Sequence, residues 1–162
     1  MSIRDITVRP ALHRDISVLT GMARALADSI DRPPEGVDKD ALANLLFGSD
    51  RWSEAFIAVD RDHRALGYVT LSRAFEPHSG ARTLWLGDFY VMASARERGV
   101  GRLLLQAAAK RAAALKCRAL VTEVGRGDAA GQDFFDKVPG GLYEDVRRWR
   151  LEDEALAELA EG

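Results

Sequence analysis

Near its middle the sequence reads Asp88-Phe-Tyr-Val-Met-Ala-Ser-Ala-Arg-Glu-Arg-Gly-Val-Gly-Arg-Leu-Leu-Leu105. This pattern predicts the end of a strand, a sharp turn and the start of a long helix. Gly99 and Gly101 let backbone N–H groups approach a ligand, and the opening helix adds unpaired donors and the positive end of its dipole. The stretch therefore predicts a site for a phosphate or pyrophosphate. The basic residues around the turn are Arg96, Arg98 and Arg102.

The segments on either side of this turn predict a crossover between parallel strands. Thr83 to Met92 is a strongly apolar run, interrupted by Gly87 and Asp88, and is expected to be a central strand. Gly99 to Leu115 has an apolar helical face, and Cys117 to Val124 reads as the next strand. A strand–helix–strand unit of this kind is right-handed with parallel strands.

The rest of the chain adds an antiparallel hairpin and further helices, so we expect an α/β (α+β) fold with a mixed sheet covered by helices. Residues 1–162 are expected to form one domain, with 152–162 as an acidic tail. The remaining predicted elements are a strand Ile3–Arg9, a helix capped by Asp15, a helix Val37–Phe47, a hairpin of Ala55–Val59 with Ala65–Leu71, a helix Ala129–Lys137 and a strand Leu142–Leu151.

Composition limits the partners. The formal net charge of −2 over 162 residues does not favour a nucleic-acid binder. The lone Cys117 and the scattered histidines give no metal-ligand spacing, so no metal is expected. Neither a signal peptide nor a membrane-spanning run is expected. A cytoplasmic location is the expectation that fits the single cysteine.

Three glycine-loop chemistries compete for the turn. A Walker A loop needs Gly-Lys-Ser/Thr entering the helix, whereas this chain has Gly101-Arg-Leu, so that interpretation fails. A dinucleotide-binding loop needs a third glycine where Leu104 stands, so that interpretation is weak. The third pattern, Arg/Gln-x-x-Gly-x-Gly/Ala after an apolar strand, is matched by Arg96-Glu-Arg-Gly-Val-Gly101.

With this loop, the opening Ile6-Thr-Val-Arg-Pro-Ala11, the hairpin and the Phe134-Phe135 helix, almost the whole chain resembles the GCN5-related N-acetyltransferases (GNAT). Leu84-Trp-Leu-Gly-Asp-Phe-Tyr-Val-Met92 looks most like the diamine (spermidine/spermine) acetyltransferase branch. The resemblance implies a mostly antiparallel sheet with one splayed parallel pair, acetyl-CoA as acetyl donor and a small amine as acceptor. It also implies a homodimer, in which the strand Leu142–Leu151 is a candidate for pairing between subunits.

The resemblance also assigns residues to the cofactor. The backbone of Phe89, Tyr90 and Val91 would bond the pantetheine arm, and the amides of residues 97–102 would hold the pyrophosphate. Asp128 and Phe135 stand where the family often has asparagine and tyrosine, and the family often has glycine at the position of Glu97. The expected cofactor-binding residues are Phe89, Tyr90, Val91, Arg96, Glu97, Arg98, Gly99, Val100, Gly101, Arg102, Asp128 and Phe135.

The catalytic half departs from the family pattern. The usual tyrosine protonates the departing thiolate, and Phe135 cannot donate a proton. The diamine branch has glutamate where this chain has Gly87. Glu123 is the first candidate for the general base and Asp88 the second, while Tyr90 can substitute as the acid, although strand parity does not settle which face Tyr90 occupies.

Three functions therefore compete. The first is acetyl-CoA-dependent N-acetylation of a primary amine of a small molecule, polyamine-like or amino-acid-like, by direct attack in a ternary complex. An acidic rim around the first loop would favour a cationic amine by steering. The second is a non-catalytic acyl-CoA-binding regulatory module, and the third is a domain with the fold but no cofactor. The acidic residues of the rim are Asp28, Asp31, Glu35, Asp38 and Asp40.

Overall fold

The computed structural model describes residues 3–30, 32–141, 154, 156, 159 and 160. The chain divides into two compact units, residues 1–127 and 128–162. The first unit has strands β1 (Thr7–Pro10), β2 (Glu54–Val59), β3 (Ala65–Glu76), β4 (Ala81–Val91) and β5 (Ala119–Val121). Its helices are α1 (Ile16–Ser29), α2 (Lys39–Phe47) and α3 (Val100–Ala114).

In the described part of the chain these strands form a five-stranded sheet in the order β1-β2-β3-β4-β5. Neighbouring strands are antiparallel except β4 and β5, which are parallel and are joined by α3. The predicted hairpin is present as β2 and β3, and its turn is closed by the Asp60 carboxylate, which accepts backbone N–H groups of Asp62 and Arg64 at 2.9 Å each. The mixed sheet with one parallel pair is confirmed.

Alternation along the strands gives the sheet two apolar faces. On one face, the buried Val100, Leu104 and Ala108 of α3 pack against β3 and β4. On the other face, Leu19 and Met22 of α1 pack against β2 and β3 together with Leu46 of α2. Both helical layers follow the apolar periodicity of the sequence.

Several boundaries differ from those predicted. Ile3–Asp5 forms a 3₁₀ turn, closed by the Ile6 N–H, and the first strand begins at Thr7. The strand predicted over Cys117–Val124 is limited to Ala119–Val121, because its pairing with β4 extends over those residues alone. The predicted strand Leu142–Leu151 lies outside the described residues.

Asp15 was predicted to cap α1, but its carboxylate makes other bonds. Both oxygens accept from the Arg9 guanidinium, at 2.7 and 2.9 Å, and one also accepts the Leu12 N–H at 2.7 Å. No side-chain cap bond to α1 forms. The hydrogen bonds from Arg9 lower the pKa of Asp15, and Asp15 therefore ties the end of β1 to the start of α1.

Replacing Asp15 by asparagine is expected to lower the free energy of unfolding at neutral pH by about 1.5–3 kcal/mol, because bonds to a charged partner are lost. A carboxyl with a lowered folded-state pKa stabilises the fold above its unfolded pKa of about 4, and the contribution disappears as pH falls through the folded value. The variant should therefore lose less stability on acidification, as measured by urea unfolding between neutral and acidic pH.

The matched control is Asp62→Asn, since Asp62 forms an exposed ion pair with Arg64 at 3.4 Å. Exposed pairs contribute little, so this variant should match the wild type. Equal acid sensitivity of Asp15→Asn and the wild type would contradict the role given to Asp15.

The second unit contains helix α4 (Ala129–Asp136), as predicted. The Asp128 carboxylate caps it by accepting the Gly131 N–H at 2.8 Å. Of the predicted acidic tail, the described residues Glu154, Leu156, Leu159 and Ala160 are helical. No helix among the described residues is long and apolar enough to cross a membrane.

Candidate active site

A β-bulge in β4 determines which side chains reach the two faces of the sheet. Val69 of β3 is opposite Phe89, but Leu71 is opposite Leu86, so Gly87 and Asp88 together oppose a single β3 residue, Thr70. Such an extra residue reverses the alternation of side chains beyond it. Leu86 before the bulge and Phe89 after it thus both face α3.

The same bulge turns Asp88 and Tyr90 toward α1 and α2. Tyr90 packs with the core on that face, and Asp88 hydrogen-bonds to Tyr68, which belongs to the same core. The face of Tyr90, which the sequence left open, is thereby settled. Two of the three predicted catalytic residues lie on one face of the sheet, next to the bulge.

Gly87 is explained by the packing of the bulge. The Thr70 hydroxyl accepts the Asp88 N–H at 2.7 Å. A Cβ at position 87 would lie 2.9 Å from that same oxygen, closer than real Cβ contacts permit. Glycine therefore allows the hydroxyl to satisfy the backbone, and the glutamate of the diamine branch would require Thr70 to shift.

The Asp88 carboxylate accepts a hydrogen bond from a buried tyrosine. The hydroxyl of Tyr68, a residue that is 1% exposed, donates to Oδ2 of Asp88 at 2.6 Å. Burial, and after it the charge of Asp88, raises the pKa of Tyr68 far above its ordinary value, so the phenol remains a proton donor. Sequence reasoning missed Tyr68, because only the register of β3 against β4 brings these two residues together.

The other oxygen of Asp88 and the hydroxyl of Tyr90 are available to a ligand. No described residue hydrogen-bonds to either atom, and both residues are half-buried. Since no fully buried side-chain polar atom lacks a partner in the described residues, both atoms must reach solvent-accessible space. The Tyr68 and Tyr90 rings are tilted neighbours, with centroids 6.4 Å apart. Of these two tyrosines, Tyr90 has the uncommitted hydroxyl.

The backbone of β4 presents alternate residues to its two neighbours. Met92 N–H bonds to the Leu66 carbonyl, so Tyr90, two residues earlier, also directs its backbone groups to β3. The backbone N–H and C=O groups of Phe89 and Val91 then point away from β3, toward the side of the sheet where β5 lies. Of the three residues expected to bond pantetheine through the backbone, these two therefore direct their backbone groups away from the neighbouring strand β3.

Pairing between β4 and β5 stops well before β4 ends. The last pair is Trp85 with Val121, and the Thr122 hydroxyl adds one bond to the Leu86 carbonyl at 2.9 Å. β4 continues to Val91 without β5 beside it. Glu123 is an exposed residue directly after this last link.

The glycine turn exposes a row of backbone donors. Gly99 is the N-cap of α3 in the left-handed conformation, with φ 80°, and has no side chain to cap the helix. In the described part of the chain, no group accepts a hydrogen bond from the N–H groups of residues 97–102. These six consecutive donors, in the glycine turn and the first turn of α3, are arranged as an anion would require.

The three arginines of the turn are exposed, and one of them hydrogen-bonds to the end of β4. Arg96 Nε donates to the Val91 carbonyl at 3.2 Å, which links the turn to the end of β4. Arg98 and Arg102 are exposed and have no ion-pair partner among the described residues. They can therefore supply charge to a bound phosphate.

Glu97 is strained, because its φ of 60° lies in the region that favours glycine. Glu97→Gly should raise the free energy of unfolding by up to about 1 kcal/mol and lower the Kd for CoA a few-fold, since a carboxylate beside the pyrophosphate is removed. Chemical denaturation and calorimetry with CoA measure the two effects. His63, at φ 61°, provides the matched control. His63→Gly should relieve similar strain without changing CoA affinity, and a tighter Kd in that variant would contradict the interpretation.

Asp128 and Phe135 belong to the second unit. Asp128 is the N-cap of α4, and Phe135 packs edge-to-face on Phe134 with centroids 5.1 Å apart. No cluster of three or more metal-ligating side chains occurs among the described residues.

The model of the acetyltransferase (GNAT) family matches residues 23–140, which is most of the chain. The chain belongs to the GNAT acetyltransferase family. It is accordingly an N-acetyltransferase, and the family uses acetyl-CoA as the donor. The unpaired amides of residues 97–102 fit the pyrophosphate of such a donor. No curated protein matches the chain.

Solved structures share the GNAT fold at low sequence identity. An integron cassette protein from the mobile metagenome of V. cholerae is 20% identical, with a TM-score of 0.79 over 98% of this chain and 99% of that one. A ribosomal-protein-alanine N-acetyltransferase from Brucella melitensis biovar Abortus is 22% identical, with a TM-score of 0.75 over 90% and 99%. An aminoglycoside acetyltransferase from an uncultured soil metagenomic sample is 15% identical, with a TM-score of 0.75 over 94% and 99%.

Proposed function

We propose that this N-acetyltransferase transfers the acetyl group of acetyl-CoA to the primary amine of a small cationic molecule, polyamine-like or amino-acid-like, by direct attack in a ternary complex. The observation that carries the proposal is the Asp88 carboxylate at the β4 bulge, with one oxygen held by Tyr68 and the other accessible. A cytoplasmic location and a homodimer are part of the same proposal, as is kinship with the diamine branch.

The charge around Asp88 supports a cationic acceptor. Two other carboxylates that are buried or half-buried are paired with arginine, Asp15 with Arg9 and Glu54 with Arg111, whereas the half-buried Asp60 accepts backbone N–H groups instead. In the residues that the structure describes, no cation pairs with Asp88. A protonated amine can therefore provide the missing positive charge.

Each residue then has a role in the proposed reaction. The amides of residues 97–102 hold the pyrophosphate, and the Val91 backbone aligns the pantetheine arm. Acetyl-CoA supplies an activated thioester whose thiolate is a good leaving group. Asp88 accepts a proton from the amine, which frees the nitrogen lone pair for attack on the thioester carbonyl. Tyr90 donates a proton to the sulfur as the C–S bond breaks, and the second proton, which the acetylated nitrogen loses, restores the Tyr90 hydroxyl.

Glu123 is the alternative base in this scheme. It is exposed and follows the last link between β4 and β5. We place Asp88 first because it lies at the bulge on the same face of the sheet as Tyr90, with its backbone N–H and its carboxylate both hydrogen-bonded. A fixed carboxylate loses less freedom when it engages the amine.

Incubation with acetyl-CoA and a panel of acceptors tests the proposal through release of free thiol. The panel contains polyamines, amino acids, aminoglycosides and peptide N-termini. We expect turnover with at least one cationic small amine and weaker turnover with its neutral analogues. Absence of turnover across the panel, with CoA still bound in calorimetry, would instead favour the second candidate.

That second candidate is a non-catalytic acyl-CoA-binding module. The observation that favours it is Phe135 at the position where the family commonly has its acidic tyrosine, which leaves that role without a hydroxyl. It predicts micromolar CoA binding with no acceptor turned over. The uncommitted hydroxyl of Tyr90 favours the enzyme, because it offers a replacement acid.

A further inference from the structure

Tyr68 makes a polar contact in addition to its core packing. Its ring is buried on the α1/α2 face, and its hydroxyl donates to Oδ2 of Asp88 at 2.6 Å, across the bulge. The bond joins two strands at the one place where their regular pairing is interrupted.

We propose that Tyr68 is a positioning residue for acetyl transfer: it holds Oδ2 of Asp88 so that the second carboxylate oxygen meets the acceptor amine. This inference rests on the role proposed for Asp88. Tyr68 touches neither substrate, because its hydroxyl is committed to Asp88 and its ring is inaccessible. It acts through the orientation of Asp88.

Three contacts define that orientation. The bulge sets the backbone at residues 87 and 88, and the Asp88 N–H is fixed by Thr70 at 2.7 Å. Tyr68 then holds the carboxylate of Asp88. The Asp88 side chain is therefore restricted both at its backbone and at its carboxylate. The second oxygen is accessible and no described residue bonds to it, and Tyr90 lies two residues further along the same face of β4. Without the phenol, the carboxylate would be free to rotate and to bind water with either oxygen.

The chemistry of the phenol suits this task. A neutral donor orients a carboxylate without cancelling its charge, whereas an arginine would cancel it and compete with a cationic amine. Because burial raises the pKa of Tyr68, the hydroxyl keeps its proton throughout the pH range of an assay. Tyr68 thus orients Asp88 and leaves that carboxylate with the negative charge that attracts a cationic acceptor.

The test is Tyr68→Phe, which keeps the ring and removes the hydroxyl alone. We expect kcat with the acceptor found in the panel to fall about 10–100-fold, since a misplaced catalytic group costs about that much. The Kd for CoA and the KM for acetyl-CoA should not change. Thr20→Val is the matched control, because the buried Thr20 hydroxyl bonds only within α1, at 2.8 Å to the Ile16 carbonyl. It should lose similar stability and keep its kcat.

A double-mutant cycle separates positioning from packing. If Tyr68 acts through Asp88, adding Tyr68→Phe to Asp88→Asn should lower kcat no further, whereas a structural role would make the two losses additive. Additive losses, or a wild-type kcat in Tyr68→Phe while the wild type turns over, would overturn this inference and leave the proposed function standing. A wild type that acetylates nothing in the panel would overturn the proposed function, and the role of Tyr68 with it.

Discussion

Asp88→Asn is expected to lower kcat/KM for the amine about 10²–10⁴-fold, the usual value of a general base. Asparagine keeps the shape of the side chain and can still accept the Tyr68 hydroxyl bond, but it cannot take a proton from the amine. It also lacks the charge that attracts a cationic acceptor. Steady-state kinetics with acetyl-CoA and the acceptor measure the loss.

The division of that loss between kcat and KM distinguishes the two tasks of Asp88. A base affects kcat and kcat/KM together, whereas an anchor for the cationic amine raises the acceptor KM. Asp60→Asn is the matched control, because Asp60 is a half-buried carboxylate that accepts backbone N–H groups in the β2–β3 turn. It should keep full activity.

Glu123→Gln decides between the two candidate bases. We expect a small effect from this variant if Asp88 is the base. Unchanged kcat/KM in Asp88→Asn, together with a large loss in Glu123→Gln, would contradict the assignment and transfer the role to Glu123. Loss in both variants would indicate that the two carboxylates share the proton.

Gly99→Ala is expected to raise the Kd for CoA about 10–100-fold. The left-handed backbone at φ 80° disfavours any residue with a Cβ, and that Cβ would lie 2.6 Å from the Ile3 side chain. Relief of the backbone strain shifts the turn, and its N–H groups then point less directly at the pyrophosphate. Loss of one hydrogen bond to a charged group costs about 1.5–3 kcal/mol, which converts to that change in Kd.

Gly80→Ala is the matched control for this loss. Gly80 lies in the β3–β4 turn at φ 62°, with open space where a Cβ would lie, so alanine there meets the same backbone penalty but no anion site. Calorimetry should give a wild-type Kd for this variant, and unfolding experiments should give similar losses of free energy in both. Equal CoA affinity of Gly99→Ala and the wild type would contradict a pyrophosphate site at the turn.

The sequence predicts the parts of this molecule that are local. The glycine turn, the apolar face of α3 and the β2–β3 hairpin are each encoded within a few residues, through backbone conformation or apolar periodicity. The crossover rule then gives the parallel pair of β4 and β5. These features sufficed to predict the mixed sheet and a phosphate site, and the resemblance to the GNAT family implied acetyl-CoA.

What the sequence could not provide depends on contacts that form only in the folded chain. In the sequence, Gly87 and Asp88 only interrupt an apolar run. Their common pairing with Thr70 makes them a bulge, and the bulge places the side chains of Asp88 and Tyr90 on the opposite face of the sheet. Tyr68 is 20 residues from Asp88, so no local pattern links them. Asp15 fits a helix cap by position, but Arg9 on the neighbouring strand provides stronger, charged partners. Tertiary contacts outweigh local preference at each of these positions.

An NMR titration of the isotope-labelled protein with CoA reports on the anion site without requiring a known acceptor. We expect the amide signals of residues 97–102, with that of Val91, to shift in a saturable way, and these shifts to disappear in Gly99→Ala but not in Gly80→Ala. If CoA bound while the signals of residues 97–102 stayed in place, the pyrophosphate would be held elsewhere and the assignment of the anion site to the glycine turn would be wrong.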